Sequence, residues 1–389
     1  MKYKEIPSTF YTENRKRLLP LLKDKSLALF FSNSQMPRTG DQYFPFRQNA
    51  NLFYMSGIDQ PNAILALCPH HPKADFREIL FVEQITPEKA IWNGGGHSVQ
   101  DLRTISGIQT ILWISDFEYI LRDLACYSYH IYLDIQENIK FASEIKGQGF
   151  IYAEKIKSDY PLHPYHRLFP LLADMRLIKS LYEIEQIKEA CRITEKAFGR
   201  IPHFLKPHVW EYEVEAEIMH EFTKHGACCA FDTIVASGKN ACTLHYATND
   251  SICEDGDLLL LDFGAEYANY ASDLSRTIPV NGRFSLRQRQ VYDACVRVYE
   301  YAKTLFIPGM SISKVYKKVC MTMQMELIDL GLFSNTDLEK QSSEYELMKK
   351  YFPHNISHFV GLDVHDVGNT DVLFEEGMIL SCEPGIYIP

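Results

Sequence analysis

The sequence predicts an α+β protein of two domains, and three observations predict it. At 389 residues the chain exceeds the allotment of about 150 residues that one ordinary domain takes. Its first third alternates short apolar runs with helical stretches, whereas long amphipathic periods surround a strand-rich middle from Ser180 onward. Hydrophobic residues make up 46% of the chain and charged residues 23%, a balance that gives each domain a core to bury and argues against disorder.

The N-terminal domain is expected over 1–173. Within it, 26–32 (SLALFFS), 63–67, 79–82 and 131–133 are short apolar runs bounded by turn residues, as buried strands are. Residues 101–105 and 116–125 read as helices between them. The proline-containing stretch 160–170 has no apolar period and reads as irregular structure near the domain boundary. The second domain is expected over 174–389. Leu181, Ile184, Ile187, Cys191, Thr194 and Phe198 recur every three or four residues, and Ser180 with Glu183 has the capping-box spacing that starts a helix. A second helix is expected over 210–224, a strand-rich core over 231–280 and a third helix over 288–306, ended by Pro308-Gly309. A fourth helix over 311–330 is closed by Gly331, and the tail 357–389 reads as mostly extended.

Composition excludes several classes of function. A net charge of -10 argues against unspecific binding of nucleic acid, and no apolar run approaches the roughly 18 residues that a spanning helix needs. The first 22 residues carry no apolar core of a secretory leader. Ten cysteines fall singly apart from the pair Cys228 and Cys229, with no C-x-x-C, which reads as reduced thiols of a cytoplasmic protein.

The chemistry concentrates in two places. Residues 256–279 read GDLLLLDFGAEYANYASDLSRTIP: the run 258–261 predicts a buried strand ending on Asp262, Gly264 permits a turn, and a returning strand carries Asp273. A hairpin of this kind brings the two carboxylates to facing positions, where they repel unless cations lie between them. The plain alternative is a turn-capping Asp262 and a solvated Asp273. Against it, His354, His358 and His365 follow within FPHNISHFVGLDVHDVG, and Glu383 within LSCEPGIYIP. His354-x-x-x-His358 lacks the glutamate of a helical zinc motif, and Pro353 and Gly361 oppose a helix. Three carboxylates and an imidazole suit manganese, cobalt, zinc or iron at a hydrolytic pair. Cys382, on the opposite face from Glu383, is expected to pack.

These blocks resemble those of the pita-bread metallopeptidases, the family of Xaa-Pro aminopeptidases, prolidases, methionine aminopeptidases and creatinase. LLLLDFGAEYANYASDLSRTIPVNGRFS, SHFVGLDVHDVG and EPGIYIP resemble its metal-ligand blocks in order and spacing. LHYATND around His245 resembles its substrate-binding histidine block, and FPFRQNANLFYMSGIDQPNAILAL resembles the creatinase-type N-terminal domain of aminopeptidase P. The resemblance implies an α/β creatinase-like domain followed by a pita-bread catalytic domain that holds two divalent metal ions, manganese first among the candidates. Asp262 would hold one ion, Asp273 would bridge both, and His358 and Glu383 would hold the other. Glu383 would help activate the attacking water, His245 and His365 would hydrogen-bond the substrate carbonyl and the developing oxyanion, and His354 would lie near the proline side. The implied substrate is a peptide with proline second, with no nucleic-acid or membrane partner and with a homo-oligomer left open. Members of the family continue to a further strand bearing a last bridging glutamate, so this chain, ending at Pro389, is expected to be truncated and impaired. A prolidase acting on Xaa-Pro dipeptides and a non-catalytic peptide-binding protein are the alternatives.

Overall fold

The computed structural model describes residues 3–137 and 145–389. The chain divides into two compact units, Lys4–Met175 and Arg176–Pro389, with Tyr3 belonging to the second.

In the first unit, β1 (Ser26–Phe31) is followed by a short hairpin of β2 (Pro37–Thr39) and β3 (Gln42–Tyr43), then by β4 (Ile64–Leu67), β5 (Glu78–Val82), β6 (Thr110–Trp113), β7 (His130–Leu133) and β8 (Tyr165–Arg167). The six longer-range strands form one mixed sheet ordered β6-β5-β4-β1-β7-β8. Every residue of β1 and β4 is buried, which is why both read as continuous apolar runs and not as alternating ones. Helices α1 (Ser8–Leu18), α2 (Ala50–Ser56), α3 (Pro87–Asn93), α4 (Val99–Ser106), α5 (Phe117–Cys126), α6 (Gln148–Asp159) and α7 (Phe169–Leu177) complete it. Phe117, Leu121 and Leu124 of α5 and Ile156 of α6 share a core with Leu27, Leu29 and Phe31.

Residues 160–164 are irregular as expected, but the second half of the stretch is not. Strand β8 pairs in parallel with β7, and α7 opens at Phe169. Two of the prolines mislead because they sit where a missing N–H costs nothing: Pro164 lends its carbonyl to Ile131 at 3.1 Å just before an edge strand, and Pro170 lies in the first turn of α7. Helix α2 shows no amphipathic period because six of its seven residues are buried. It is closed by Gly57 at φ 71°, a conformation that only glycine adopts cheaply.

In the second unit, α8 (Leu181–Phe204) starts with the Ser180–Glu183 capping box and packs with α9 (Glu211–Lys224). Both bury apolar stripes against Leu259, Leu261 and Phe263, each fully buried and each contributing roughly 1.5–3 kcal/mol relative to exposure. Strands β9 (Cys228–Cys229), β10 (Ile234–Ser237), β11 (Leu258–Phe263), β12 (Ala265–Tyr267), β13 (Tyr270–Ala271) and β14 (Leu274–Pro279) form two antiparallel sheets, β10-β11-β14 and β13-β12-β9. Helices α10 (Leu286–Lys303) and α11 (Ile312–Asp329) pack with Phe352, Ile356 and Phe359 in a separate core.

Three expectations need correction here. The strand-rich core is interrupted, because 238–257 holds a single 3₁₀ turn, Gly238–Cys242, and loop. Gly264 makes no turn. The chain reverses at Ala268 and Asn269, both at positive φ, and Gly264 is needed because a Cβ there would meet the Ser272 carbonyl oxygen at 1.7 Å. The tail 357–389 runs without regular strands. Only the Phe359–Leu380 bridge forms, extended by backbone bonds from Val360 to Ile379, Ser381 to His358 and Glu383 to Ile356 at 2.9–3.0 Å. The segment between these stretches is devoted to bends that bring His365 back beside His358.

Candidate metal centre

The centre is built on the hairpin that runs from β11 to β14. Asp262 is opposite Ser275, Phe263 is opposite Leu274, and beyond the interruption Glu266 is opposite Ala271, so Gly264 stands opposite Asp273 in an unshifted register. Residues two apart, and residues directly opposite, share a face. Asp262, Gly264, Asp273 and Ser275 therefore lie on one face, while Leu259, Leu261 and Phe263 enter the core from the other. Helix α8 braces the interruption. The Thr194 hydroxyl receives the N–H of Ala265 at 2.9 Å and lies 2.7 Å from the Ser272 hydroxyl, which donates to the Ala265 carbonyl at 2.9 Å.

The paired stretches 356–360 and 379–383 supply the other side. His358 Nε2 lies 3.0 Å from Asp273 Oδ2 and 3.6 Å from Glu383 Oε1, and its Nδ1 lies 3.0 Å from the Phe359 carbonyl. Donor atoms of Asp273, His358 and Glu383 all fall within 4.8 Å of one another. Asp262 lies beside this set and outside its mutual distances, its carboxyl interacting with those of Asp273 and Glu383. Burial first, and then the neighbouring Asp273 charge, push its pKa up to about 7. Burial works against a charged His358, but the hydrogen bond to Asp273 and the charge of Glu383 outweigh it and hold the imidazole above its ordinary pKa.

These residues fit divalent cations. Oδ1 of Asp262 is buried without a hydrogen-bond partner among the described residues, a costly state for a carboxylate oxygen. The donors are hard oxygens with one imidazole, and no thiolate competes, because burial pushes the Cys382 thiol up to about 11. Cys382 instead packs beside the α10–α11 core. No helix spans 354–358, which removes the helical zinc reading on structural grounds too.

The remaining histidines sit differently. The exposed His365 packs edge-on against His358, with ring centroids 4.2 Å apart. His354 places Nε2 3.0 Å from the Tyr387 hydroxyl and Nδ1 2.8 Å from the Asn355 carbonyl, and burial lowers its pKa. His245 stands exposed on the loop after the 3₁₀ turn, and no hydrogen bond joins it to the carboxylate group among the described residues.

Sequence reasoning passed over three contributors. Ser381 ties two members of the group together, since its Oγ receives the His358 N–H at 2.9 Å and donates to Glu383 Oε1 at 3.2 Å. Tyr387 faces Asp262 and Glu383, and burial followed by their charges raises its phenol pKa. The third is a buried ion cluster that carries the 358–366 stretch. Asp366 lies 2.5 Å from Arg176 Nη2 and 3.0 Å from Lys179 Nζ, and Arg176 also reaches Asp363 at 2.9 Å. A Cβ on Gly361 would meet Asp366 Oδ2 at 2.2 Å, so this close approach requires glycine. The Gly361 carbonyl in turn accepts from Ala271 at 2.8 Å, which links the ion cluster to the hairpin bearing Asp273. Ser381 and Tyr387 offered some signal by falling within LSCEPGIYIP beside Glu383; the charges around Asp366 offered none.

Comparison with known proteins bears on this arrangement. Residues 185–389 match the model of "Metallopeptidase family M24", and residues 11–132 match "Aminopeptidase P, N-terminal domain". The chain is 33% identical to the Xaa-Pro aminopeptidase of Escherichia coli over 399 residues, covering 99% of this chain and 88% of that protein. It is 32% identical to the Xaa-Pro aminopeptidase of Haemophilus influenzae, covering 99% and 87%. Among solved structures, a zinc-substituted E. coli aminopeptidase P in complex with product aligns with a TM-score of 0.87 at 32% identity, covering 99% and 88%. Proline aminopeptidase P II from Yersinia pestis aligns with a TM-score of 0.85 at 32% identity, covering 99% and 89%.

Proposed function

The chain belongs to metallopeptidase family M24, and from that membership we propose that it is a metal-dependent aminopeptidase hydrolysing the N-terminal Xaa-Pro bond of peptides. The observation that carries this reading is the convergence of Asp273, His358 and Glu383 in one group beside Asp262, within a chain matched along 99% of its length to Xaa-Pro aminopeptidases.

Asp262, Asp273, His358 and Glu383 would hold the two divalent ions. The oxygen-rich donor set supports manganese as the native metal. When bound, such ions lower the pKa of water and polarise a carbonyl oxygen. The protein's own groups do the rest. Glu383 accepts a proton from the attacking water, and its position is fixed by the Ser381 hydroxyl. His365, seated against His358, and His245 donate hydrogen bonds to the substrate carbonyl and to the oxyanion that develops on it. His354, held by Tyr387 and the Asn355 carbonyl, faces the proline side.

Residues 1–173 form the aminopeptidase P-type N-terminal domain and 174–389 the catalytic domain. All ten cysteines are free thiols, which supports a reducing compartment such as the cytoplasm. The test is hydrolysis of a proline-second tripeptide before and after exhaustive chelation, with an Xaa-Pro dipeptide in parallel. Cleavage of the tripeptide that is lost on chelation and restored by a divalent salt is expected. Chelator-resistant turnover overturns the metal reading, and cleavage of the dipeptide alone makes the protein a prolidase.

A further inference from the structure

The stretch 237–251, which bears His245, has little apolar burial to hold it. Thr243, Leu244, His245, Ala247 and Thr248 are all exposed, and its one regular element is the turn Gly238–Cys242. A loop so made wanders unless hydrogen bonds fix it.

Those bonds converge on one side chain. Glu211, the first residue of α9, is fully buried. Its Oε1 accepts from the Ser237 N–H at 2.7 Å and from Asn240 Nδ2 at 3.2 Å, and its Oε2 accepts from the Tyr246 hydroxyl at 2.7 Å and the Ser251 N–H at 2.9 Å. The Glu211 N–H returns a bond to the Ser251 carbonyl at 2.9 Å. The Asn240 amide also donates to the Tyr246 hydroxyl at 3.0 Å, so the hydroxyl accepts from one side and donates to the carboxylate on the other. A buried carboxylate is tolerable only when donors or a cation compensate it, and here neutral donors from the start, middle and end of a single loop do so. Asn249 adds a second tie, accepting from Val235 at 2.9 Å and donating to the Thr233 carbonyl at 2.8 Å. Tyr246, the residue next to His245, is thus held directly by the hub.

We infer that Glu211 is a positioning residue for the reaction, acting through Tyr246 and the 237–251 loop to hold His245 where it meets the substrate. This rests on the reading of His245 as a substrate-binding group. Glu211 touches no reacting atom, and its carboxylate form is required: a glutamine keeps one acceptor oxygen but turns its NH₂ toward donors.

The test is a double-mutant cycle on the full chain, loaded with metal and assayed with a proline-second tripeptide. Glu211→Gln is expected to keep its metal content while kcat/KM falls by about 10–100-fold, the scale of a small misplacement in a binding group. In a His245→Ala background the same substitution should cost nothing further, because the group it positions is gone. Losses that multiply, or a fall in bound metal, overturn the positioning role and leave Glu211 a structural residue. If His245→Ala alone retains wild-type kcat/KM, the reading of His245 fails and this inference with it; a slow Glu211→Gln enzyme would then mark a route through another group. Tyr246→Phe removes one donor without burying new charge and repeats the cycle if Glu211→Gln does not fold. A Tyr246→Phe enzyme as fast as wild type, or equally impaired with and without His245, overturns the proposed route.

Discussion

Removing the Asp366 carboxylate should destabilise the protein more than any other single change in its buried ion cluster. The side chains of Asp366 and Lys179 are 1% exposed and that of Arg176 is 3% exposed, so Asp366→Asn leaves two cations in a low-dielectric site with their shared partner neutralised. Breaking a buried pair in this way costs about 3–5 kcal/mol. At about 2–4 °C per kcal/mol for a unit of this size, the unfolding midpoint should fall by roughly 6–20 °C. Arg176→Met should cost less, because Asp366 keeps Lys179 at 3.0 Å and the freed Asp363, with 28% of its side chain exposed, can turn to water. The pH dependence follows from sign. Burial alone would push the Asp366 carboxyl up, but the charges of Arg176 and Lys179 overcome it and hold the group below its ordinary value. Its stabilisation is therefore present above the unfolded value of about 3.9 and is lost as pH falls through the lower folded value. Thermal unfolding at neutral pH and at pH 3 measures both effects. An Asp366→Asn midpoint within a few degrees of wild type, or an Arg176→Met variant less stable than Asp366→Asn, would refute the reasoning.

His245→Ala and His365→Ala should retain bound metal while lowering kcat by about 10²–10³-fold, the cost of a lost oxyanion donor; elemental analysis showing a lost metal equivalent would move that histidine among the ligands. Metal binding should release a proton near neutral pH, because the Asp262 carboxyl is raised to about 7 in the metal-free site. Affinity should weaken as pH falls below that value, and titration calorimetry in buffers of different ionisation enthalpy should find fewer protons released by Asp262→Asn than by the unsubstituted protein, with His358, held above its ordinary pKa, supplying the remainder. Gly264→Ala should cost about 1–3 kcal/mol or more and loosen metal binding, since its methyl would sit 1.7 Å from the Ser272 carbonyl oxygen beside Asp273; denaturant unfolding at wild-type stability would count against the close approach.

Local pattern in the sequence was enough to determine the α+β class, the buried strands of the first unit, the capping box at Ser180 and the carboxylates 262 and 273 as partners. Each of these depends on periodicity or on a hairpin register, both of which are local properties. The nearby prolines of 160–170 hid an edge strand because a missing N–H matters only according to the neighbour it would have faced, and that neighbour, β7, lies far away in sequence. Gly264 was read as a turn because glycine alone does not reveal whether φ or close packing demands it; the Ser272 oxygen decided the matter. The family blocks pointed to His358 and Glu383, but the bonds that aim them come from Ser381 and from the paired tail. Glu211 and Arg176 carried no sequence signal at all, since an acidic residue at a helix start and an arginine in a last turn are ordinary surface features. Their burial, and hence the strength of what they hold, exists only once 237–251 and 358–366 fold over them, because a charge becomes a strong anchor only when water has been removed from around it.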